Sequence, residues 1–141
     1  MKAILMSIRP QHLVNILNGK KTIEIRKTMP KCALPIDVYI YCTKDKKYAN
    51  LINRGGFLTG MVVAKFTLEK ISPVVMQKDY KCGRGYAWHI SNLVIFDKPK
   101  ELGEFSVERY AEMPNGVFPC YEPIIKAPQS WQYVCIEEEK L

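Results

Sequence analysis

Runs of alternating or β-branched residues constrain the fold of this chain more than any other feature of its sequence. Such runs cover residues 3–8, 21–27, 36–43, 61–68, 86–96 and 131–137. Alternation and β-branched or aromatic side chains favour strands. Because few helical patterns separate the runs, we predict a mostly antiparallel β structure of the α+β class. Closure into a small β-barrel would remove exposed edge strands, and we expect a barrel at this length.

One amphipathic helix is predicted near the N-terminus, over residues 10–18. Pro10 suits the first turn of a helix, because its missing N–H has no intrahelical partner to lose. Leu13 and Ile16 recur at helical spacing, and Gly19 is suited to end the helix in a left-handed conformation.

Other helical segments are predicted to be short. Residues 44–54 permit a helix, and one or two helical turns are expected over residues 106–113. Four prolines predict an ordered but irregular segment over residues 114–128. The acidic residues 137–139 are expected to form a solvated tail.

The length of 141 residues predicts a single domain spanning residues 1–141. A chain of this size buries roughly 68–70% of its unfolded surface, which is enough for a stable core without disulfide bonds or a structural metal. No apolar run approaches the roughly 20 residues of a membrane span. Arg9 and Pro10 interrupt the apolar N-terminus too early for a secretory signal. We therefore expect a cytoplasmic protein without a membrane partner.

The cysteine pattern argues against disulfide and metal frameworks. The five cysteines are widely spaced and include no C-x-x-C pair. Cys42 and Cys135 lie in apolar runs and are expected in the core. With only two histidines, neither near a cysteine or carboxylate cluster, we expect no metal. P-loop and dinucleotide-binding glycine patterns are also lacking, so no cofactor is predicted.

The charge is concentrated in the first half of the chain. Residues 1–70 carry 13 basic and 4 acidic side chains, whereas residues 71–141 carry 8 and 10. A basic surface of this kind is typical of proteins that bind a phosphate backbone. The simpler alternative is a solvated basic surface that keeps the protein soluble.

Three charged residues follow the predicted helix within one short strand: Lys21, Glu24 and Arg26, which we call the charged trio. Their structural explanation is an alternating surface strand whose charges pair with neighbours. In the functional interpretation, Arg26 binds a phosphate or a base edge, and Glu24 accepts from an exocyclic amine or holds Arg26. Lys21 is then a point charge or, if desolvated, a general base.

A second polar cluster precedes the last predicted strand. Gln129 and Ser130 offer donors and acceptors there, and the first and last strands of a barrel are often neighbours. This turn is therefore expected to face Lys21. Trp131 and Tyr133 are interpreted mainly as packing residues, with base stacking as the alternative.

Together these clusters resemble the ASCH family, small domains similar to the PUA fold, in particular its stand-alone bacterial and phage members. The family pattern G-x-K-x-x-E-x-R is matched in full by residues 19–26. Residues 5–10 resemble the opening strand and helix start of the family. Residues 85–87 and 128–131 resemble its later strands.

The resemblance implies a PUA-like β-barrel with a cleft where the first helix meets the barrel, and RNA or a nucleotide as the partner. The candidate binding residues are Ser7, Arg9, Lys20, Lys21, Glu24, Arg26, Gln129 and Ser130. Some compact family members resemble amidohydrolases that act on acylated cytidine with a Lys, a Thr and a downstream Glu. Lys21 matches the Lys, Glu24 occupies the Thr position, and Glu69 is the candidate for the downstream Glu. A hydrolase, including a ribonuclease, is therefore the alternative function, with Lys21 and Glu24 as catalytic candidates.

Overall fold

The computed structural model describes residues 1–45, 52–53, 56–57, 59–78 and 81–137. Strands dominate this part of the chain, as predicted. In chain order the elements are β1 (Lys2–Ile8), α1 (Pro10–Leu17), β2 (Ile23–Arg26), β3 (Ile36–Cys42), β4 (Ile52–Asn53), β5 (Gly56–Phe57), β6 (Val62–Lys78), β7 (Lys81–Lys100), a 3-10 helix (Leu102–Glu104), β8 (Ser106–Met113), β9 (Gly116–Pro123) and β10 (Trp131–Cys135).

Eight of these strands form one mixed sheet, in the order β2-β7-β6-β3-β1-β10-β8-β9. β1 and β3 pair in parallel, and the other neighbouring pairs in this sheet are antiparallel. Strands β4 and β5 form a separate two-stranded sheet. The predicted closure into a barrel is not found, because the sheet is open with β2 and β9 at its edges.

The centre of the sheet is buried on both faces. Alternate residues of β1 belong to two different apolar clusters, with Ile4 and Met6 in one and Ala3 and Leu5 in the other. The first cluster includes residues of α1, and the second includes Phe105. A strand covered on both faces carries a nearly continuous apolar run, as residues 3–6 do.

Helix α1 confirms its prediction from the sequence. It begins at Pro10, buries Leu13 and Ile16 in the first cluster, and is followed by Gly19 with a φ of +81°. Since a left-handed backbone is strained for residues with a Cβ, glycine is the suitable residue at this position.

Two predictions for the second half of the chain are wrong. Residues 106–113 form strand β8 instead of helical turns, and most of the segment predicted as irregular forms strand β9. The two strands pair along eight residues and are joined by Pro114 and Asn115. Pro119 and Pro123 lie on an edge strand, where a residue without an N–H is tolerated.

Most of the predicted helix-permissive segment, residues 46–51 and 54, lies outside the described residues, and so do residues 138–139 of the predicted tail. Within the described part of the chain, no helix combines the length and the apolar character that crossing a bilayer requires.

Candidate functional site

The end of helix α1 positions Lys21. The Gly19 N–H donates to the Ile16 carbonyl, and the Lys21 N–H donates to the Asn15 carbonyl at 2.8 Å. The Lys20 N–H donates to the side chain of Asn18. These bonds fix the backbone between the helix and β2, so Lys21 leaves the helix end in a defined direction.

Strand β2 presents Glu24 and Arg26 on one face, as the alternation predicts. That face points inward, because Glu24 is buried and Arg26 largely so, whereas Ile25 between them is 49% exposed. An edge strand with inward-pointing charges resists pairing with another chain. The charges of β2 are paired, as the structural explanation expects, but Glu24 and Arg26 do not lie on an open surface.

The charged trio converges on the Glu24 carboxylate. Lys21 Nζ lies 2.8 Å from Glu24 Oε2, and Arg26 Nη2 lies 3.2 Å from Glu24 Oε1. The side chains of Lys21, Glu24 and Arg26 are 31%, 10% and 14% exposed, respectively. Lys21 is therefore the member of the trio that solvent and ligands reach most readily.

Arg26 also connects β2, at one edge of the sheet, to β1 and to the residue before β10, and both of these strands lie in the middle of the sheet. Its Nη2 donates to the Ser7 carbonyl at 2.8 Å, and its Nη1 donates to Ser130 Oγ at 3.1 Å. Ser7 itself donates from Oγ to the Pro128 carbonyl at 2.7 Å. The predicted proximity of Ser130 to the trio is thus present, although side chains rather than a backbone ladder provide it.

Burial is the main electrostatic influence on Arg26. It lowers the pKa of the guanidinium, and the adjacent Glu24 carboxylate opposes that shift by its charge and its hydrogen bond. Of the side chains that the structure describes, two atoms are buried without a hydrogen-bond partner: Arg26 Nε and Glu24 Oε2. Glu24 Oε2 keeps Lys21 as its ion-pair partner. Buried polar atoms without a hydrogen bond are uncommon in folded proteins, and both of these lie within the charged trio.

A line of side-chain hydrogen bonds continues from Arg26 along the gap between residues 26–31 and residues 130–133, which we call the seam. Trp131 Nε1 donates to Thr28 Oγ1 at 2.9 Å, and the Lys31 N–H donates to the Tyr133 hydroxyl at 2.9 Å. Trp88 Nε1 donates to the Thr28 carbonyl. Sequence reasoning did not identify Thr28. The available signal was the pair of tryptophans, because the N–H of a packed indole needs a hydrogen-bond acceptor nearby.

The aromatic residues at the seam pack against one another. The rings of Trp88 and Trp131 are 5.3 Å apart, those of Trp131 and Tyr133 are 5.5 Å apart, and both pairs meet edge to face. Trp131 and Tyr133 also pack against the first apolar cluster. The packing interpretation of these two residues is confirmed.

The other predicted site residues are less closely connected to the trio. Arg9, Lys20 and Gln129 are exposed and lie close in sequence to Ser7, Lys21 and Ser130. Glu69 is exposed on β6, and among the described contacts none joins it to Lys21. His89, which is not a predicted site residue, lies 2.9 Å from Ser72 Oγ through its Nε2 atom, and this contact supports a structural role.

Two cavities on the described surface have linings that include no member of the charged trio. One of about 890 Å³ is lined by residues that include Tyr39, Lys65, Phe96 and Lys98. The other, of about 780 Å³, lies between the β8–β9 hairpin and Tyr133. Neither is lined by Lys21, so the predicted cleft is not one of these two cavities. In the described part of the chain, no three His, Cys, Asp or Glu side chains are grouped as metal ligands would be.

Comparison with known proteins identifies the fold. The sequence matches no family model and no curated protein. Two crystal structures of the ASCH protein from Zymomonas mobilis do match the structure. A single-residue mutant has a TM-score of 0.53 and 18% identity, over 94% of this chain and 90% of the mutant. The other structure of ASCH from this organism has a TM-score of 0.52 and 17% identity, over 93% of this chain and 86% of that protein.

These similarities show that the chain has an ASCH domain fold, as the sequence resemblance indicated. At this level of identity the fold alone is shared, and function has to be argued from the site.

Proposed function

We propose that this protein binds RNA or a nucleotide through the charged trio and the adjacent seam. The observation that carries the proposal is the buried Glu24 carboxylate, which holds two cations of which one, Lys21, remains partly open to solvent. Arg26 already donates hydrogen bonds to Ser7 and Ser130. Its proposed role is therefore to hold the strands of the site together, and the ligand is contacted by another residue. Lys21 is then the phosphate ligand.

Further cations lie beside this site. Lys20, Lys27 and Lys31 are exposed on the segment that runs from the helix end along the seam. At the far end, Lys2 Nζ lies 4.4 Å from the centre of the Tyr133 ring. Such a row of cations suits a chain of phosphates, because each contact releases condensed counterions from the nucleic acid. The ASCH domain fold supports the same proposal by analogy.

Lys21 is also able to change partners without loss of the link between strands. A partly exposed ion pair contributes little free energy, on the order of 0.2–1 kcal/mol. A phosphate therefore competes with Glu24 for the Lys21 ammonium, while Arg26 keeps Glu24, Ser7 and Ser130 in place. The trio thus combines one exchangeable cation with one fixed cation.

The hydrolase alternative receives less support from the same geometry. A lysine base is favoured by burial or by neighbouring cations, whereas the nearest charged group to Lys21 is a carboxylate at 2.8 Å. Glu24 has a cation beside each oxygen, so neither oxygen reaches a substrate without giving up an ion pair. Phosphate binding is therefore our preferred function.

Fluorescence anisotropy with a labelled single-stranded RNA tests this proposal. The logarithm of affinity is expected to fall linearly with the logarithm of salt concentration. Lys21→Gln is expected to weaken binding and to reduce that slope by about 0.7, the value for one phosphate contact on a single strand. Lys98→Gln is the matched control, because it removes the same charge from an exposed residue on β7.

Competition with an unlabelled mononucleotide distinguishes a free nucleotide from RNA as the ligand. The recovered RNA, examined on a denaturing gel, reveals any cleavage that depends on Lys21. An affinity that does not change with salt, or an equal loss in the Lys98 variant, would contradict phosphate binding at the trio.

A further inference from the structure

The hairpin of β8 and β9 exposes a large apolar surface at the edge of the sheet. Five of its large apolar side chains are between 49% and 68% exposed: Tyr110, Met113, Val117, Phe118 and Tyr121. β8 joins the sheet through one residue pair, Ser106 with Cys135, whereas β8 and β9 pair along eight residues. Because isolated hairpins are marginally stable, an apolar hairpin attached only at its base is a candidate interaction surface.

The free edge of this hairpin is poorly suited to the addition of another strand. Pro119 and Pro123 both lie on β9, and each lacks a backbone donor. Prolines on edge strands discourage pairing with another chain. A partner is therefore expected to pack on a face of the hairpin.

The two faces of the hairpin differ in charge. Cross-strand partners share a face, and alternate residues along a strand lie on opposite faces. The acidic face carries Glu108, Tyr110, Glu112, Val117, Pro119 and Tyr121. The neutral face carries Arg109, Ala111, Met113, Phe118, Cys120 and Glu122.

Two of the five exposed apolar side chains, Met113 and Phe118, lie on the neutral face, and the other three lie on the acidic face. The neutral face adds one cation and one anion to its apolar pair. Arg109 Nε lies 3.9 Å from Glu122 Oε2, and both side chains are more than half exposed. A patch with one charge of each sign is self-complementary, as a two-fold interface requires. On the acidic face the two carboxylates of one copy would repel those of another.

Shape on the neutral face favours the same arrangement. Phe118 lies opposite Ala111, and Met113 lies opposite Gly116, so a large residue faces a small one in each pair. A two-fold axis parallel to the strands would stack Phe118 on the partner's Ala111 and Met113 on the partner's Gly116. It would also bring Arg109 beside the partner's Glu122.

We propose that the neutral face of the β8–β9 hairpin is a homodimer interface, with a second copy of this chain as its partner. Sedimentation equilibrium of the full chain over a concentration series tests this proposal. Wild type is expected to dimerise as concentration rises. Arg109→Glu and Glu122→Arg are each expected to weaken dimerisation roughly tenfold or more, because each places like charges together across the interface.

Two further samples make the test specific for self-association. An equimolar mixture of the two single variants is expected to form a heterodimer, and the double variant Arg109→Glu/Glu122→Arg is expected to dimerise like wild type. Glu112→Arg is the matched control, since it makes the same charge change on the acidic face. These substitutions affect exposed side chains, and circular dichroism of each variant is the check that it is folded.

Three results would overturn the proposal. The first is a wild-type protein that stays monomeric throughout the series. The second is a mixture of the single variants that stays monomeric. The third is a Glu112→Arg variant that loses dimerisation as strongly as Glu122→Arg does.

Discussion

At the scale of single residues, the three charges of the G-x-K-x-x-E-x-R pattern have three different environments. Glu24 is buried and touches both cations, Arg26 links β2 to Ser7 and Ser130, and Lys21 extends toward solvent. Burying charges costs free energy unless they are paired and hydrogen-bonded. Glu24 therefore has a structural as well as a functional reason to be acidic.

Glu24→Gln is expected to lower the free energy of unfolding by roughly 3 kcal/mol, the low end of the loss seen when a buried ion pair is broken. The amide preserves the shape of the side chain but leaves Arg26 without its counterion. Urea denaturation measures the effect. Lys21→Gln is the control, and it should cost less than about 1 kcal/mol because the Lys21 side chain is partly exposed.

A Glu24→Gln protein as stable as wild type would show that Ser7 and Ser130 alone compensate the Arg26 charge. The role of Glu24 would then be limited to orienting Lys21. An unfolding free energy that falls equally in both variants would also contradict the division of roles within the trio.

At the scale of elements, the sequence predicted the first strands, the helix and the strands at residues 86–96 and 131–137, but it missed the β8–β9 hairpin. Pro10, the spacing of Leu13 and Ile16, and Gly19 each act locally, so their consequences are readable from a short window. The β8–β9 hairpin was missed because its prolines resemble breaks. Those prolines are compatible with β9 because it is an edge strand, and edge position depends on the whole topology. Pro114-Asn115-Gly116 was the available turn signal, since Pro and Asn suit the two central positions of a turn and Gly the residue after them.

The candidate site shows the same division between local and long-range information. Alternation placed Glu24 and Arg26 on one face of β2, but it did not specify that this face points inward. That orientation depends on Ser7 and Ser130, which are 19 and 104 residues away from Arg26 in sequence. The sequence also did not predict that β2 and β10 would lie side by side without backbone pairing. Side chains across the seam join these two strands instead.

Strand β3 leads to a prediction about alkaline stability. Its end residue, Cys42, is fully buried, and burial raises the pKa of this thiol from its ordinary value of 9.0 to about 12. Above pH 9 the unfolded chain loses this proton before the folded protein does. Stability is therefore retained below about pH 9 and falls toward pH 12, by up to about 1.4 kcal/mol per pH unit.

Urea denaturation at several alkaline pH values, compared between wild type and Cys42→Val, isolates this contribution. The variant should lose stability less steeply above pH 9. Burial raises the pKa of the neighbouring Tyr41, and the charge of Cys42 adds to that shift. The comparison therefore reports the contribution of Cys42 including its effect on Tyr41. Parallel pH profiles would show that the Cys42 thiol does not control alkaline stability.

At the scale of the whole molecule, the charge asymmetry of the sequence separates two proposed surfaces. The basic first half supplies β1, α1, β2 and the cations beside the seam. The second half, with more acidic than basic residues, supplies the β8–β9 hairpin. The excess of acidic residues near the hairpin repels a polyanion, whereas the basic residues beside the seam attract it. We therefore expect RNA binding and self-association to use different surfaces of the protein.

The larger cavity is the main competing location for RNA, because Lys65, Lys98 and Lys100 line it. Two of these cations already lie over aromatic rings, with Lys65 Nζ 5.9 Å from the Tyr39 ring centre and Lys100 Nζ 5.5 Å from that of Phe96. Asp97, Glu101 and Glu104 also line the cavity and oppose a phosphate there. The seam, by contrast, has exposed cations with fewer carboxylates nearby along the segment.

Lysine acetylation with and without RNA, read by mass spectrometry, distinguishes the two locations on one molecule. Bound RNA is expected to protect Lys20, Lys21, Lys27 and Lys31, because phosphates cover their ammonium groups, and to leave Lys65, Lys98 and Lys100 as reactive as before. Lys126, in the segment between β9 and β10, provides an exposed internal reference. Protection confined to the cavity lysines would place the RNA on the other surface and would reduce the charged trio to a structural link between β2, β1 and the start of β10.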